Sequence, residues 1–297
     1  MAFKLKQGES AAKGITRIIG EEIDEAIRRA KVRRALPVEN VHEIRKSVKK
    51  MRALLRLMRE SLGERTYRCE SMFLRDVAHQ LSDARDAQIM VEVYAKLTRA
   101  NGADRARFPA SVGQALRRNR DAMNALVLAK SVLPQVGEEL AQARPRIARA
   151  ASVPDGWSSL EDGLRRAYRR GHRAFAEAYR HPTLETFHEW RKGVKDLHYD
   201  MRLLSPIWPV TLESLGDTTD TLGDLLGDDH DLGVLERFLR ANARGFGGLR
   251  TLRGPLRAIA RRRDELRSRA KPIGEALYQD RPRIFVERIE ALWHAWH

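Results

Sequence analysis

The feature that most constrains the fold of this chain is an internal repeat, because two copies of one pattern are expected to fold alike. The segment HEIRKSVK at residues 42–49 returns as HEWRKGVK at residues 188–195, about 145 residues further along. A second pair of matching segments follows, LSDARD at residues 81–86 and LGDDHD at residues 226–231. The similar spacing of both pairs indicates a tandem duplication.

Two weaker matches extend the repeat in the same order. Residues 14–18 resemble residues 163–167, and residues 118–121 resemble residues 261–264. Chance produces one such match easily but not four in sequence. The chain is therefore predicted to consist of two homologous halves.

The length of 297 residues also favours two units, since one core rarely serves so long a chain. The boundary is expected near Pro154 and Gly156, which interrupt the helical pattern, and divides the chain into residues 1–151 and 152–297. Long runs of Leu, Ala, Arg and Glu favour helices over strands. The sequence predicts an all-α fold, with a four-helix bundle in each half.

Hydrophobic periodicity and the positions of proline predict where the helices begin and end. The predicted helices of the first half are residues 8–35, 38–61, 66–98 with a bend near Ser82, and 108–130, with a fragment before Ala150. Those of the second half are residues 157–180, 183–205, 211–242, 250–270 and 283–296.

The first histidine segment predicts an amphipathic helix with a cationic stripe beside its apolar face. Apolar residues recur at steps of three and four, namely Val41, Ile44, Val48, Met51, Leu55 and Met58. The stripe follows the same steps one position later and consists of His42, Arg45, Lys49, Arg52 and Arg56, with Lys46 beside it. It is about 20 Å long at the helical rise per residue.

The second histidine segment repeats this pattern. Its apolar face comprises Phe187, Trp190, Val194, Leu197, Met201 and Leu204, and its stripe comprises His188, Arg191, Lys195, His198 and Arg202. Like charges four residues apart destabilise a helix, so an anionic ligand is expected to offset the repulsion. Arg offers a planar fork of donors to phosphate oxygens, and Lys a mobile charge. A solvated basic face explains one stripe equally well, but the recurrence weakens that interpretation.

Composition points to a polyanion without identifying it. The formal net charge of +16 attracts nucleic acid, anionic lipid and polyphosphate alike. Cys69 is the only cysteine, which excludes an intramolecular disulfide. The first seven residues lack the apolar core of a signal peptide, and no stretch approaches the ~20 apolar residues of a membrane span. These features favour a cytoplasmic protein without a membrane partner.

No motif in the sequence demands catalysis, a cofactor or a metal. The second histidine of a zinc-protease helix is missing after both His42 and His188. The acidic segment at residues 228–231 is expected to cap a helix or pair with arginines rather than bind a cation. No phosphate-binding loop, nucleophile or metal-binding carboxylate pair is evident, so the chain is predicted not to be an enzyme.

Together, the two histidine helices and the segments that follow them resemble the CHAD family, helical domains named for their characteristic histidines. The resemblance covers nearly the whole chain. It implies two four-helix bundles related by pseudo-twofold symmetry, with basic residues lining a shared groove. It also implies binding of inorganic polyphosphate, at polyphosphate granules in bacteria, and polyphosphate-metabolising enzymes as possible partners.

The resemblance also assigns the ligand-binding residues. These are His42, Arg45, Lys46, Lys49, Arg52 and Arg56 in the first half, and His188, Arg191, Lys192, Lys195, His198 and Arg202 in the second, with Arg17, Arg166, Arg118 and Arg261 as further candidates. The second half departs from the family pattern, because Asp196 removes a cation and the charge of His198 depends on pH. The second half is therefore expected to bind more weakly.

The main alternative is a protein that binds the phosphate backbone of nucleic acid. Aromatic residues make up only 6% of the chain, and they are not interleaved with the stripes as stacking platforms would be. A helical scaffold that docks an acidic protein is a further alternative, and a polyphosphatase or kinase is the enzymatic one.

Overall fold

The computed structural model describes residues 3–31, 37–100, 108–150 and 156–296. These ranges contain helices and no β-strand, which confirms the predicted all-α fold. In chain order the helices are α1 (Ala11–Lys31), α2 (Pro37–Leu57), α3 (Arg59–Leu62), α4 (Glu64–Gln80), α5 (Ser82–Ala100), α6 (Ala110–Ala129), α7 (Val132–Ala150), α8 (Ser158–Arg180), α9 (Leu184–Leu204), α10 (Pro209–Ala241), α11 (Arg253–Leu277) and α12 (Pro282–Trp296). The predicted boundary at residues 151 and 152 lies outside the described residues, and the twin-bundle arrangement stays a prediction.

The bend predicted near Ser82 is a break between two helices. Leu81 ends α4 outside helical geometry, and the Ser82 hydroxyl donates a hydrogen bond of 2.8 Å to the carbonyl oxygen of His79. The corresponding part of the second half is one unbroken helix, α10. The two halves therefore share a helix order but differ in this segment.

Two helices extend further than the sequence predicted. The fragment before Ala150 is the full helix α7, which accommodates Pro145, and α11 continues past Pro272 to Leu277. Proline removes one hydrogen bond from a helix interior, so each of these helices continues through a residue that weakens it. Packing offsets this loss, since Val136, Leu140 and other residues on the inner face of α7 are buried.

Both apolar faces predicted for the histidine helices are buried. On α2 these are Val41, Ile44, Val48, Met51 and Leu55, with Met58 directly after the helix, and on α9 they are Phe187, Trp190, Val194, Leu197, Met201 and Leu204. Each of these side chains is at most 1% exposed, so the rotation of both helices about their axes is fixed by the core. The cationic stripes must therefore flank that core.

The two halves share one continuous core. Helix α2 packs against α8 and α9, and α5 packs against α10 and α11. Helices α2 and α8 approach each other closely at Gly163 of α8, where a Cβ atom would overlap the backbone carbonyl group of Leu57. Only glycine allows the two helices to come this close.

The N-terminal segment also joins the halves. The Leu5 backbone N–H donates to the Leu203 carbonyl oxygen at 3.1 Å, and the Phe3 ring packs edge-on against Tyr199 with centroids 5.7 Å apart. This segment therefore lies on the second half although it belongs to the first. Among the described residues, none of the helices combines the length and apolar character that a bilayer span requires.

Candidate cationic site

The stripe on α2 is held against α4 at one end and is open to solvent in the middle. The Arg45 guanidinium donates a hydrogen bond of 2.6 Å to the Ala78 carbonyl oxygen at the end of α4. His42, Lys46 and Lys49 are exposed. The anchored Arg45 thus fixes the position of a row whose neighbouring cations face solvent.

The stripe on α9 lies against α10, which provides a glycine beneath three of its cations. A Cβ atom on Gly216, Gly223 or Gly227 would contact the side chain of Arg202, Lys195 or Arg191, respectively. The tightest of these contacts is at Gly223, where the Cβ atom would lie 2.8 Å from Lys195 Cε. The small residues of α10 therefore let the cations of α9 lie flat along it.

Helix α10 also supplies carboxylates to these cations. Lys195 Nζ lies 3.0 Å from Asp220 and 3.5 Å from Asp224, and Arg202 lies 3.7 Å from Asp217. Lys192, outside this row, pairs with Glu189 at 2.5 Å. The α9 stripe is thus partly neutralised by its neighbours.

The two stripes meet, which is clearest at Lys49. Although Lys49 is an exposed residue, enough protein surrounds its ammonium group that desolvation lowers its pKa to about 8. Repulsion from Arg191 and Lys195 on α9 contributes to this shift, as does Arg45 on its own helix. The two rows together are called the cationic surface below.

The cationic surface contains donors that no protein group uses. Among the described residues, the Nε atoms of Arg52, Arg56 and Arg191 are buried and have no hydrogen-bond partner. Burial also lowers the pKa of Arg52, with the charge of Arg56 as the second cause. A buried donor without an acceptor costs roughly 1–3 kcal/mol, so an anion that accepts from these atoms would be stabilised.

The histidines of the stripes are held in their neutral form. Burial lowers the pKa of His188 to about 4, assisted by His230, whose ring stacks on it with centroids 4.5 Å apart. The pKa of His198 is lowered by burial, and its Nδ1 atom lies 3.1 Å from the Gly216 carbonyl oxygen, to which an Nδ1–H would donate. Burial followed by the charge of Arg85 lowers the pKa of His42. The free protein therefore carries no full histidine charge here at neutral pH.

Asp196, which interrupts the second cationic pattern, is a link between the halves. Its carboxylate accepts from Arg56 of α2 at 2.6 Å and from Arg170 of α8 at 3.2 Å. One turn further along α9, Asp200 is buried, and desolvation raises its pKa well above the ordinary value, as does the charge of Asp196. The interruption thus provides an internal anion at one end of the α2 stripe.

The second pair of repeated segments also meets in the structure. Helices α5 and α10 pack together, and burial raises the pKa of Asp86, with the charge of Asp231 acting in the same direction. Asp229 is buried and accepts from Arg263 at 3.0 Å and from Arg267 at 2.9 Å. The predicted pairing of the acidic segment with arginines is confirmed. Nowhere in the described ranges do three or more His, Cys, Asp or Glu side chains cluster as metal ligands would.

Four further arginines proposed from the resemblance lie away from the centre of the cationic surface. Arg17 is fully engaged by Glu9, Glu21 and the Lys4 carbonyl oxygen, and it holds the N-terminal segment.

Arg166 donates to the Arg56 carbonyl oxygen at 2.8 Å and pairs with Glu60, so it joins α8 to the end of α2. Arg118 is exposed on α6, and Arg261 lies on α11, 3.8 Å from Glu265. The structure therefore does not bring Arg17, Arg118 and Arg261 into the two rows.

Arg85 is a cation of this site that sequence reasoning did not assign. Its positive charge lowers the pKa of His42, Arg45 and Lys49, in each case behind desolvation. Arg85 lies in the repeated segment at residues 81–86, so its place in the repeat was the signal that pointed to it.

The fold and the site define an all-α protein in which two helices, α2 and α9, bring their cations together. A family model described as CHAD domain matches residues 17–240, and the chain belongs to this family. The family is associated in general with polyphosphate binding.

The chain was also compared with solved structures and with curated proteins. The chain is similar to the crystal structure of the CHAD domain from the plant Ricinus communis, with 18% identity and a TM-score of 0.57. The match covers 99% of this chain and 95% of that chain. At this identity the likeness shows a shared fold alone. The comparison with curated proteins gave no match.

Proposed function

We propose that this protein binds inorganic polyphosphate, without catalysis, in a groove between the stripes of α2 and α9. The observation that carries the proposal is the packing of α2 against α9, which brings the two cationic stripes together at Lys49; desolvation, followed by repulsion from Arg191 and Lys195, lowers its pKa to about 8. A polyanion between the helices would remove this repulsion and satisfy the unpartnered guanidinium Nε atoms.

The two walls of the proposed groove contribute unequally. Lys195 and Arg202 already have carboxylate partners on α10, whereas among the described residues Lys49 has no ion pair. A phosphate that binds Lys195 or Arg202 must displace a carboxylate of α10, whereas a phosphate that binds Lys49 meets no such competitor among the described residues. On the α2 stripe Arg56 also has a carboxylate partner, Asp196 at 2.6 Å, but fewer of its cations are paired than on α9 within the described residues, so we expect the α2 stripe to be the stronger wall.

Linear polyphosphate suits the site better than nucleic acid. The chemistry on offer is a dense row of guanidinium and ammonium groups, which recognises closely spaced phosphates. The aromatic residues on the buried face of α9 beside its stripe, Phe187 and Trp190, pack in the core, so they offer no surface for stacking bases. We further propose that the protein acts in the cytoplasm at polyphosphate granules, where polyphosphate-metabolising partner enzymes supply the catalytic activity.

A competition experiment tests the proposal. Labelled long-chain polyphosphate bound to the full chain is displaced by unlabelled polyphosphate, RNA, duplex DNA, heparin or inorganic phosphate at one stated salt concentration. Unlabelled polyphosphate should compete best, and free phosphate should hardly compete. Equal or tighter binding of RNA would overturn the proposal in favour of a nucleic-acid-binding protein.

A variant pair locates the binding. Lys49→Glu combined with Arg52→Glu should weaken polyphosphate binding by more than tenfold, or about 1.4 kcal/mol. The matched control is Arg99→Glu with Lys130→Glu, two exposed cations outside the stripes. An equal loss in both variants would mean diffuse electrostatic attraction instead of a site.

A further inference from the structure

A third row of cations lies on α8, outside both stripes. It consists of Arg166, Arg169, Arg170 and Arg173, which recur at steps of three, one and three along the helix and so share one face. The opposite face of α8 is buried through Leu160, Leu164 and Tyr168, which fixes the row outward. These four residues, called the α8 row, line an open hollow of about 540 Å³ together with Glu177 and Glu189.

The α8 row is short of negative charge. Arg169 and Arg173 are exposed, and within the described ranges neither has an ion pair. The two glutamates of the hollow already have partners, since Glu177 pairs with Arg180 at 3.2 Å, and Glu189 pairs with Lys192 at 2.5 Å and with Arg170 of the row at 3.1 Å. Two guanidinium groups therefore face solvent without compensation.

The α8 row continues from one end of the cationic surface. Arg170 and Arg56 share the Asp196 carboxylate, at 3.2 Å and 2.6 Å, respectively. Arg166 donates to the backbone carbonyl oxygen of Arg56 itself. A chain of phosphates that reaches Arg56 is thus already beside Arg166 and Arg170. The other two members of the row, Arg169 and Arg173, extend the cationic surface from there.

We propose that the α8 row is a second phosphate-binding surface, which takes up the length of a polyphosphate chain that extends past Arg56. This inference rests on the proposed function, because it assigns the overhanging part of the same ligand. The groove binds the first segment, and the row adds contacts only when the polymer is long enough to reach it. Affinity then continues to rise with chain length after the groove is filled.

The test is a chain-length series on Arg169→Glu/Arg173→Glu. Both side chains are exposed and have no ion pair with any residue that the structure describes, so their replacement should leave the packed face of α8 intact, which circular dichroism verifies. The matched control is Arg253→Glu/Arg257→Glu, two exposed arginines with the same spacing on α11. Both double variants change the net charge equally.

Fractionated polyphosphates from short to long are titrated against the wild-type chain and both variants. The α8 variant should equal the control for the shortest chains that bind and fall about tenfold below it for the longest. Its slope of log affinity against log salt for long chains should be smaller by about 1.5, as expected for two lost phosphate contacts by analogy with nucleic acids. Arg169→Gln/Arg173→Gln should give a smaller loss in the same direction, because it removes contacts without adding repulsion.

Two results overturn the inference, and they are distinguishable. If the α8 variant and the control lose affinity equally at every length, the row is not a binding surface, although groove binding stands. If the wild-type chain binds no polyphosphate of any length, the proposed function itself fails and the inference fails with it.

Discussion

The guanidinium of Arg56 in the first half lies 2.6 Å from the carboxylate of Asp196 in the second, so a cation of one stripe is held by an anion within the other. Arg170 of α8 shares the same carboxylate. This relationship ties the halves together and at the same time competes with any anionic ligand for Arg56. The Asp196 carboxylate is therefore expected to stabilise the fold and, at the same time, to lower the affinity of Arg56 for an anionic ligand.

Asp196→Asn should separate the two effects. Binding of long-chain polyphosphate should strengthen roughly fivefold, or about 1 kcal/mol, because Arg56 and Arg170 become free to bind phosphate. The free energy of unfolding should fall by roughly 1–3 kcal/mol, because both guanidinium groups lose their charged acceptor. Titration calorimetry and denaturant unfolding measure the two quantities. Asp24→Asn, which removes the surface partner of Arg144 at 2.7 Å, is the control and should leave affinity nearly unchanged.

Lys49→Gln should stabilise the free protein while it weakens binding. The folded state holds the pKa of Lys49 at about 8, below its ordinary 10.5, so the charged form is penalised below pH 8. The penalty disappears as pH rises from about 8 to 10.5, because deprotonation then accompanies folding. The gain in melting temperature should therefore be largest at neutral pH and shrink above pH 8. Lys130→Gln should show neither effect, and a lowered melting temperature for Lys49→Gln would contradict the repulsion.

Polyphosphate binding should be coupled to proton uptake through His188. Its pKa in the free protein is about 4, against an ordinary 6.5, and nearby phosphates would raise it. Calorimetry near pH 6 in two buffers of different ionisation enthalpy should reveal protons taken up on binding. His188→Asn should reduce that uptake, and an unchanged proton count would show that His188 does not contact the ligand.

The same residue should make the free protein sensitive to acid. The unfolded chain binds a proton at His188 near pH 6.5, but the folded chain resists it until about pH 4, so stability falls as pH falls through this window. The stability difference between pH 7 and pH 5 should be smaller in His188→Asn than in the wild-type chain. Thermal unfolding at both pH values measures it.

Gly163→Ala should be strongly destabilising, since the added methyl group would overlap the backbone of Leu57 and push α8 away from α2. A loss of roughly 3 kcal/mol or more is expected, in the range of severe overpacking. Gly245→Ala is the control, because nothing lies within 4 Å of a Cβ atom there. A melting temperature for Gly163→Ala equal to that of the control would mean that the close helix contact carries no packing constraint.

Periodicity was enough to predict the buried faces of α2 and α9, because a helix with one apolar stripe has only one rotation that buries it. Val48 and Trp190 are examples, both fully buried as expected. Because the cations follow these apolar residues by one position, they must lie along the edge of the buried face. This part of the site follows from local sequence alone.

Other parts depend on residues far apart in the chain. From the sequence, Asp196 only removes a cation from the second pattern. Its role as the partner of Arg56 could not be predicted, because Arg56 lies in the other half. Arg166, a ligand-binding candidate from the resemblance, also donates to the Arg56 carbonyl oxygen and pairs with Glu60, contacts that no periodicity encodes. Pro145 and Pro272 each remove a hydrogen bond from the helix that contains them, yet tertiary packing carries α7 and α11 through these residues, so both helices are longer than predicted.

The continuous core beneath α2, α8 and α9 has a thermodynamic consequence for recognition. Bringing two rows of like charge together costs electrostatic energy and conformational freedom, and in this protein folding meets that cost before any ligand arrives. A polymer that binds would lose its own conformational entropy, but no further free energy would be needed to bring two separate lobes of the protein together. For the proposed ligand the protein would be a preorganised host, and the core packing at Gly163 and Leu57 would contribute to affinity without contact to the ligand.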